Sequence, residues 1–416
     1  MLSFRVLLFA LLAGNTLGFT QHSVPCSRHR NQYSPEGCSN TALPATGFPT
    51  RRNAIGIAFS ALLTPLLGSS SSSANETPSN DTFGTVAFQT VFVPVEEYGV
   101  QVPVSVWYPL TDELAQTSTV KYDYKISLRR IGQLLAKWEF IPEFVSRDFS
   151  LTPTRTVVQS KTASMPMDAK KVVFLAHGFL GSRSDLSYLA EELASQGFVC
   201  VAAEYPESLE ASYPRLEGLD RGIINRKLLP YVQNQLVAGP IESYSAIGHS
   251  LGCGTVLNMG DDTWNRVLMG SGKAPMAPGS ASGEADVYRN PVVGGRLLFI
   301  SSVNDGPVNN WGGGIQIPKD YTILDEKSVD AQQLASLDRA AIVFEGTQAP
   351  NHISYLSESV NDAMLDFLSP LLPVTQAMEI PVLDFDKYAT SRDSVATGTK
   401  IKPLISGFLA NSAKKS

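Results

Sequence analysis

The chain has 416 residues, a formal net charge of −6 and 43% hydrophobic residues. Its charged fraction of 17% lies below the roughly 25% of an average soluble domain, and the composition excludes a disordered, collagen-like or coiled-coil protein. The length is sufficient for one large domain or two ordinary ones with a sizeable core. Because basic residues are not in excess, nucleic acid is not an expected partner.

The first 74 residues differ in charge from the rest of the chain. They hold five Arg, no Lys and one acid, for a net charge of +4, whereas the remainder carries −10. Residues 1–18 predict a signal peptide, since Arg5 is followed by a short apolar run and then by small residues. Residues 19–50 are rich in Ser and Arg and poor in acids, which is typical of a transit peptide.

Residues 51–74 form a third leader element. They consist of the pair Arg51-Arg52, an apolar stretch and the small residues SSSSSA, and they are similar to a twin-arginine export signal. The three stacked signals predict import into a plastid (chloroplast), with transfer to the thylakoid lumen as a further step. Secretion is the alternative. Residues 75–416 are expected to form one domain, because no linker divides them.

The first predicted elements of that domain are two strands within residues 85–108. Val102, Val104 and Val106 alternate in the second strand, as expected at an antiparallel edge. Residues 110–165 are predicted to be irregular except for a helix over Ile126–Trp138. The apolar stripe of that helix indicates either a core face or a lid that touches a membrane.

From residue 171 onward, apolar runs alternate with helical patterns. Helices are expected at residues 184–197, at Asn225–Leu236, from Leu251 onward (LGCGTVLNM) and at Ser354–Leu371. The predicted strands are KVVFLAHG, FVCVAAEYP, SYSAIGHS, NRVLMGSG, GRLLFISSVND and AAIVFEGT. This alternation predicts an α/β fold with a mainly parallel central sheet, helices on both faces and an antiparallel N-terminal edge.

A G-x-S-x-G motif spans Gly248–Gly252 and lies where a strand passes into a helix. That context is typical of a nucleophile elbow, a strained turn that exposes a serine hydroxyl and needs small flanking residues. Ser250 is therefore the predicted nucleophile. An ordinary strand–helix turn is the structural alternative.

A serine hydroxyl needs a base to become a useful nucleophile. Of the five histidines, His22 and His29 lie in the leader, and His249 sits inside the elbow. We interpret His177 as structural. His352 lies after the last predicted strand and downstream of the serine, so it is the predicted base.

Asp305 ends a predicted strand, 55 residues after Ser250 and 47 before His352. Its role would be to orient the imidazole and stabilise its charged form. Asp286 is the main rival, and Asp261 and Asp262 are weaker ones.

Backbone amides are expected to complete the site. An oxyanion hole requires N–H donors aimed at the developing negative charge. The amide of Leu251 is one candidate and that of Phe179 the other, with Leu180 next. Cys200 and Cys253 are expected to be buried thiols, and no Cys/His cluster has metal-ligand spacing, so neither metal nor cofactor is expected.

The motifs HGF, ASQGFVCVAAEYP and GHSLG resemble the α/β-hydrolase superfamily over most of residues 85–372. They are similar to chlorophyllases and to plasma-type platelet-activating-factor acetylhydrolases, although Leu251 and Cys253 depart from the chlorophyllase pattern. The resemblance implies a serine ester hydrolase for a small lipophilic ester in the plastid, with a peripheral membrane contact. The alternative is a non-catalytic lipid or pigment carrier with the same fold.

Overall fold

The computed structural model describes residues 85–110, 119–137, 140–144, 146–159, 167–168, 170–278, 293–310, 313–369 and 384–410. All of them fall within the unit Pro78–Ser416. The predicted leader segments 1–18, 19–50 and 51–74 lie outside the described residues.

From residue 171 onward, the predicted strands and helices are present in the predicted order, with further short elements between them. The strands and α-helices of the described residues are β1 (Val86–Val95), β2 (Val100–Pro109), β3 (Tyr122–Ser127), α1 (Leu128–Ala136), β4 (Ser146–Leu151), β5 (Val157–Gln159), β6 (Met167–Asp168), β7 (Lys171–Ala176), α2 (Ser187–Ser195), β8 (Phe198–Ala203), α3 (Arg221–Tyr231), β9 (Val237–Ala238), β10 (Ser243–His249), α4 (Leu251–Leu257), β11 (Asn265–Met269), β12 (Leu297–Ser302), α5 (Gly306–Asn310), β13 (Thr322–Leu324), α6 (Ala331–Ser336), β14 (Arg339–Phe344), α7 (Glu358–Leu368), α8 (Phe385–Ser391) and α9 (Ser394–Ala410).

The central sheet of the described chain has ten strands in the order β13-β14-β12-β11-β10-β7-β8-β2-β1-β5. Strands β8, β7, β10, β11, β12, β14 and β13 are mutually parallel, and β2 pairs antiparallel with both β8 and β1. In register, Gly248 of β10 lies opposite Ala176 of β7 and Leu268 of β11. The predicted α/β-hydrolase fold, with its parallel sheet and antiparallel edge, is confirmed.

The sheet separates two apolar cores. In β7, Val173 and Leu175 point into one core, which also holds side chains of α2, α7 and α9. Val172 and Phe174 point into the other, together with side chains of α3 and α4. Strands buried on both faces are continuous apolar runs rather than alternating ones, which is the pattern of KVVFLA in the sequence.

The irregular stretch predicted for residues 110–165 is partly wrong. Strands β3 and β4 within it pair antiparallel as a separate two-stranded sheet, with α1 between them in the chain. The predicted helix over Ile126–Trp138 is α1 and starts at Leu128, because Ser127 caps it by accepting a hydrogen bond from the Arg130 amide at 3.2 Å. Leu128 is 7% exposed, and Ile131 and Leu134 are partly buried against the first core, so the described part of the stripe faces the protein interior. Trp138 lies outside the described residues.

Two other predicted helices are shifted. The helix expected at Asn225–Leu236 begins four residues earlier, because the Asp220 side chain caps it by accepting from the Ile223 amide at 2.8 Å. It passes into a π-helical turn at Val232–Leu236. The helix expected at Ser354–Leu371 is a short 3-10 turn, His352–Tyr355, followed by α7. No described helix combines the length and apolar character needed to cross a bilayer.

Candidate active site

The serine of the G-x-S-x-G motif sits on a strained turn between β10 and α4. Ser250 has φ 55° and ψ −121°, a backbone conformation that L-residues rarely adopt. A Cβ at Gly248 would come within 2.4 Å of the Gly252 carbonyl oxygen, and one at Gly252 within 2.0 Å of the Ala176 oxygen. The turn can therefore close only if both flanking residues are glycine.

His352 contacts the serine hydroxyl from the loop after β14. Its Nε2 lies 2.9 Å from Ser250 Oγ, and its Nδ1 lies 2.8 and 2.9 Å from the two carboxylate oxygens of Asp305. Because a carboxylate only accepts hydrogen bonds, Nδ1 carries the proton and Nε2 is left to accept from the hydroxyl. The arrangement has the geometry of a nucleophile, a base and an orienting acid.

Asp305 follows β12 and is fully buried. Its Oδ1 also accepts from the Val308 amide at 2.9 Å, which fixes the carboxylate toward the histidine. The rival Asp286 lies outside the described residues. Asp261 and Asp262 precede β11, at the opposite end of the strand from the site, where their side chains accept from Thr263 and Gly294.

The loop after β7, residues 177–181, approaches the serine from the other side and is called the oxyanion loop below. A Cβ at Gly178 would lie 3.1 Å from Ser250 Cβ. The Leu180 amide donates to the Glu207 carbonyl at 3.1 Å, so it is not available to a substrate. Among the described residues, the amides of Phe179 and Leu251 donate to no protein group. They remain the two candidate oxyanion donors.

These groups meet because the strands that carry them are parallel. Ser250, Asp305, His352 and Phe179 follow the C-terminal ends of β10, β12, β14 and β7. In an open α/β sheet, the carboxyl ends of neighbouring strands share one edge, which is where such folds bind ligands. The four residues therefore converge although up to 173 positions separate them in the sequence.

His249 holds the base loop in place, a role that the sequence did not indicate. Its Nε2 lies 2.9 Å from the carbonyl oxygen of His352, and since a carbonyl only accepts, this nitrogen is the donor. Burial, followed by the charge of His352, lowers the pKa of His249 to about 3. The side chain is therefore a neutral donor at ordinary pH.

Asp384 connects the loops that carry the acid and the base. Its Oδ2 accepts from the Gly306 amide at 2.7 Å and from the His352 amide at 3.2 Å. The side chain is 2% exposed, while its other oxygen pairs with the half-exposed Lys387 at 3.0 Å. Asp384 lies 32 residues beyond the base, in a region without periodic pattern, so no local signal could have identified it.

His177, which we interpreted as structural, is bonded entirely to backbone. Its Nδ1 lies 2.8 Å from the Gly178 carbonyl, and its Nε2 accepts from the Tyr205 amide at 3.0 Å. These partners require the neutral tautomer with the proton on Nδ1. Burial and then the charge of Arg221 hold the pKa of His177 well below its usual range.

A buried charged cluster follows the oxyanion loop in sequence. Arg183 Nη1 pairs with Glu204 at 2.7 Å and also with Glu210. Burial raises the pKa of Asp185 to about 7 although its Oδ1 accepts from the Ser182 amide at 2.9 Å. Burial also raises the pKa of Glu204 to about 7.

Both cysteines of the described chain are free and buried, as expected. Cys253 Sγ donates to the carbonyls of Gly248 at 3.2 Å and of Met269 at 3.3 Å, and burial raises its pKa to about 12. Within the described ranges, no group of three or more His, Cys, Asp or Glu side chains could hold a metal ion.

The chain matches no family model and no curated protein. Among solved structures it is similar to a putative dienelactone hydrolase from Klebsiella pneumoniae (11% identity, 69% of this chain and 98% of that one, TM-score 0.32). It is also similar to an α/β serine hydrolase without lid from Xanthomonas campestris (11%, 70% and 95%, TM-score 0.30). A third is a ferulic acid esterase from Streptomyces cinnamoneus (16%, 57% and 73%, TM-score 0.30). With similarities this low, the fold assignment rests on the sheet order given above.

Proposed function

We propose that this chain is a serine ester hydrolase. The observation that carries the proposal is the continuous chain of contacts from Ser250 Oγ to His352 Nε2 at 2.9 Å and from His352 Nδ1 to Asp305 at 2.8 Å. A lipid carrier would have no use for a base held 2.9 Å from a strained serine.

The proposed reaction proceeds through an acyl-enzyme. Ser250 passes its proton to His352 Nε2 as its oxygen attacks the ester carbonyl, and Asp305 stabilises the resulting imidazolium. The amides of Phe179 and Leu251 donate to the carbonyl oxygen as it becomes negative. His352 returns the proton to the departing alcohol. Water then attacks the acyl carbonyl as His352 takes a proton from it, and His352 returns that proton to Ser250 Oγ as the bond between Ser250 and the acyl group breaks and the acid is released.

The proposed substrate is a small lipophilic ester of the plastid, either the phytyl ester of chlorophyll or an acyl ester of a glycerolipid. Two features support an apolar substrate: the side chain of Leu251, next to the nucleophile, is 44% exposed, and that of Val303, two residues before the acid, is 42% exposed. An apolar group that covers these side chains removes apolar surface from water, which favours its binding. The three leader segments support the plastid.

A fluorophosphonate probe tests the nucleophile. Ser250 is expected to displace fluoride from phosphorus, so that purified residues 75–416 become labelled, while the Ser250→Ala variant stays unlabelled. Ser301 provides the matched control: it is buried and donates to the Ser271 carbonyl at 3.1 Å, so Ser301→Ala should label like the wild type. Absence of labelling, or labelling that survives Ser250→Ala, would exclude the hydrolase and leave the carrier.

Incubation with a plastid lipid and pigment extract, followed by chromatography, tests the substrate. Chlorophyllide and phytol identify a chlorophyllase-like activity, whereas free fatty acids identify a lipase-like one. An extract that is unchanged by an enzyme that labels with the probe would exclude both substrates and retain the nucleophile.

A further inference from the structure

Arg221, at the start of α3, directs its guanidinium at the backbone of the oxyanion loop. The residue is 9% exposed. Its Nη1 donates to the His177 carbonyl at 2.7 Å and its Nη2 to the Gly178 carbonyl at 3.1 Å. Arginine is suited to such a place because its planar fork offers two parallel donors and keeps its charge when buried.

The rest of the guanidinium is held from three sides. Its Nε donates to Glu207 at 3.0 Å, and Nη1 also donates to Thr255 Oγ1 at 3.1 Å. Its Cζ lies over the Tyr205 ring, 4.5 Å from the ring centroid. The charge is thus paired, and the fork has one orientation. Glu207 thus contacts both Arg221 and the oxyanion loop: its carboxylate accepts from Arg221, and its backbone carbonyl accepts from the Leu180 amide.

The carbonyl of Gly178 and the amide of Phe179 belong to one peptide unit. In a planar trans peptide the C=O and N–H bonds point in opposite directions. Arg221 Nη2 and His177 Nδ1 both hold this carbonyl, at 3.1 and 2.8 Å, so the Phe179 N–H points away from both. In a trans peptide the N–H lies on the same side of the C–N bond as the preceding Cα, and a Cβ on that Gly178 Cα would lie 3.1 Å from Ser250 Cβ. The N–H is therefore on the edge of the unit that is nearer to the nucleophile.

We propose that Arg221 is a positioning residue that aims the Phe179 amide at the substrate oxyanion. This inference rests on the proposed hydrolase function. Donors on the carbonyl also polarise the peptide, which makes its N–H a stronger donor. Leu180, the next residue, has φ 58°; a loop with such a residue needs external contacts to keep it in place. Arg221 and His177 supply those contacts.

The experiment compares wild type, Arg221→Met and Arg221→Lys with p-nitrophenyl butyrate as substrate. Lys227→Met serves as the control, since Lys227 is a cation on the same helix that pairs with the surface residues Glu96 and Glu97 at 3.5 and 3.0 Å. An oxyanion donor acts mainly in the transition state, so kcat of Arg221→Met should fall about 10- to 100-fold with little change in KM. Arg221→Lys should be intermediate, because an ammonium is a point donor without the fork.

A trifluoromethyl ketone inhibitor supplies the readout that a merely structural role would not move. Its adduct with Ser250 carries a negative oxygen in the oxyanion hole. Its Ki should rise by the same factor as kcat falls in each Arg221 variant, and stay unchanged in Lys227→Met. If Arg221→Met does not fold, the same comparison of the rise in Ki with the fall in kcat is made for Arg221→Lys alone.

Unchanged kcat and ketone Ki in a folded Arg221 variant overturn the inference, and so does a rise in KM that accounts for the whole loss. A wild type that neither labels with fluorophosphonate nor cleaves the ester overturns the hydrolase proposal together with this one. An active wild type with unaffected variants overturns the role of Arg221 only.

Discussion

The elbow and the base loop contact each other through two hydrogen bonds, from Ser250 and from His249 to His352, but they are held in different ways. In the elbow, backbone atoms pack directly against each other: Gly248 leaves no room for a Cβ beside the Gly252 carbonyl, and Gly252 leaves none beside the Ala176 carbonyl. The base loop is held by side chains from elsewhere in the chain, namely His249 on the carbonyl of His352 and Asp384 on its amide.

The difference shows how each half of the site is encoded. Steric closure needs glycine at fixed spacing, so it appears in the sequence as a motif. Side chain to backbone bonds place no constraint on the sequence near the residue they hold. We therefore expect changes to the elbow glycines to act on folding, and changes around the base loop to act on both folding and activity.

Gly252→Ala should have the largest effect. Its Cβ would lie 2.0 Å from a backbone oxygen that cannot move without displacing β7, and we expect a loss of about 3 kcal/mol or more in the free energy of unfolding. Gly254→Ala is the matched control in the same helix, where a Cβ meets nothing within 4 Å. It should gain about 0.5 to 1 kcal/mol. Denaturant titration measures both; equal effects would refute steric closure.

Asp384→Ala should come next. It leaves the buried amides of Gly306 and His352 without an acceptor, at a cost of about 1 to 3 kcal/mol for each. Ester hydrolysis should fall further than stability alone explains, because both catalytic loops lose a common anchor. Lys387→Met removes only the half-exposed partner of Asp384, and such surface pairs contribute about 0 to 1 kcal/mol. If Lys387→Met reduced kcat as much as Asp384→Ala, the loss of activity would not come from the bonds between Asp384 and the two loop amides.

His249→Phe should lower kcat about tenfold, since it removes the donor on the His352 carbonyl. His249→Gln should restore part of this loss, because its amide nitrogen can donate in the same direction.

The pH dependence of stability supplies a second readout for His249. Its pKa of about 3 in the folded protein lies below the ordinary value of 6.5, so between these two pH values the side chain binds a proton only in the unfolded chain. This histidine therefore costs the wild type stability as pH falls from 6.5 toward 3.

His249→Phe abolishes that cost. Relative to the wild type, the variant should therefore gain stability between pH 7 and pH 4.5, as measured by urea titration at the two pH values. A stability difference that is the same at both values would show that His249 is not held neutral in the folded protein.

Asp185→Asn should have the smallest effect. Burial raises the pKa of Asp185 from 3.8 to about 7, so the folded state holds the proton more tightly, and wild-type stability falls as pH rises from 3.8 through 7. Asn keeps the acceptor for the Ser182 amide and cannot ionise. Its melting temperature relative to the wild type should therefore be a few degrees higher at pH 8 than at pH 5. An equal difference at both values would contradict a buried carboxyl with a raised pKa.

Local pattern was sufficient for much of the fold. The apolar runs around Val173, Ile247 and Leu298 are strands buried on both faces, and that burial is why they were recognisable. The two-stranded sheet of β3 and β4 was missed because exposed positions dilute the apolar pattern: in β3, Asp123 and Lys125 alternate with buried tyrosines. Helix α3 was placed too late, since its start depends on the cap that Asp220 supplies.

The sequence by itself determined the order of strands and helices, the elbow and its serine, and a short list of partners that included His352 and Asp305. These depend on burial, steric size and chain order, which are local or counted along the chain. Tertiary structure alone decided that Asp305 contacts His352, that Asp384 joins their loops and that Arg221 faces the Gly178 carbonyl. Such contacts join backbone groups to side chains far away in sequence, and only the packing of parallel strands at one edge brings them together.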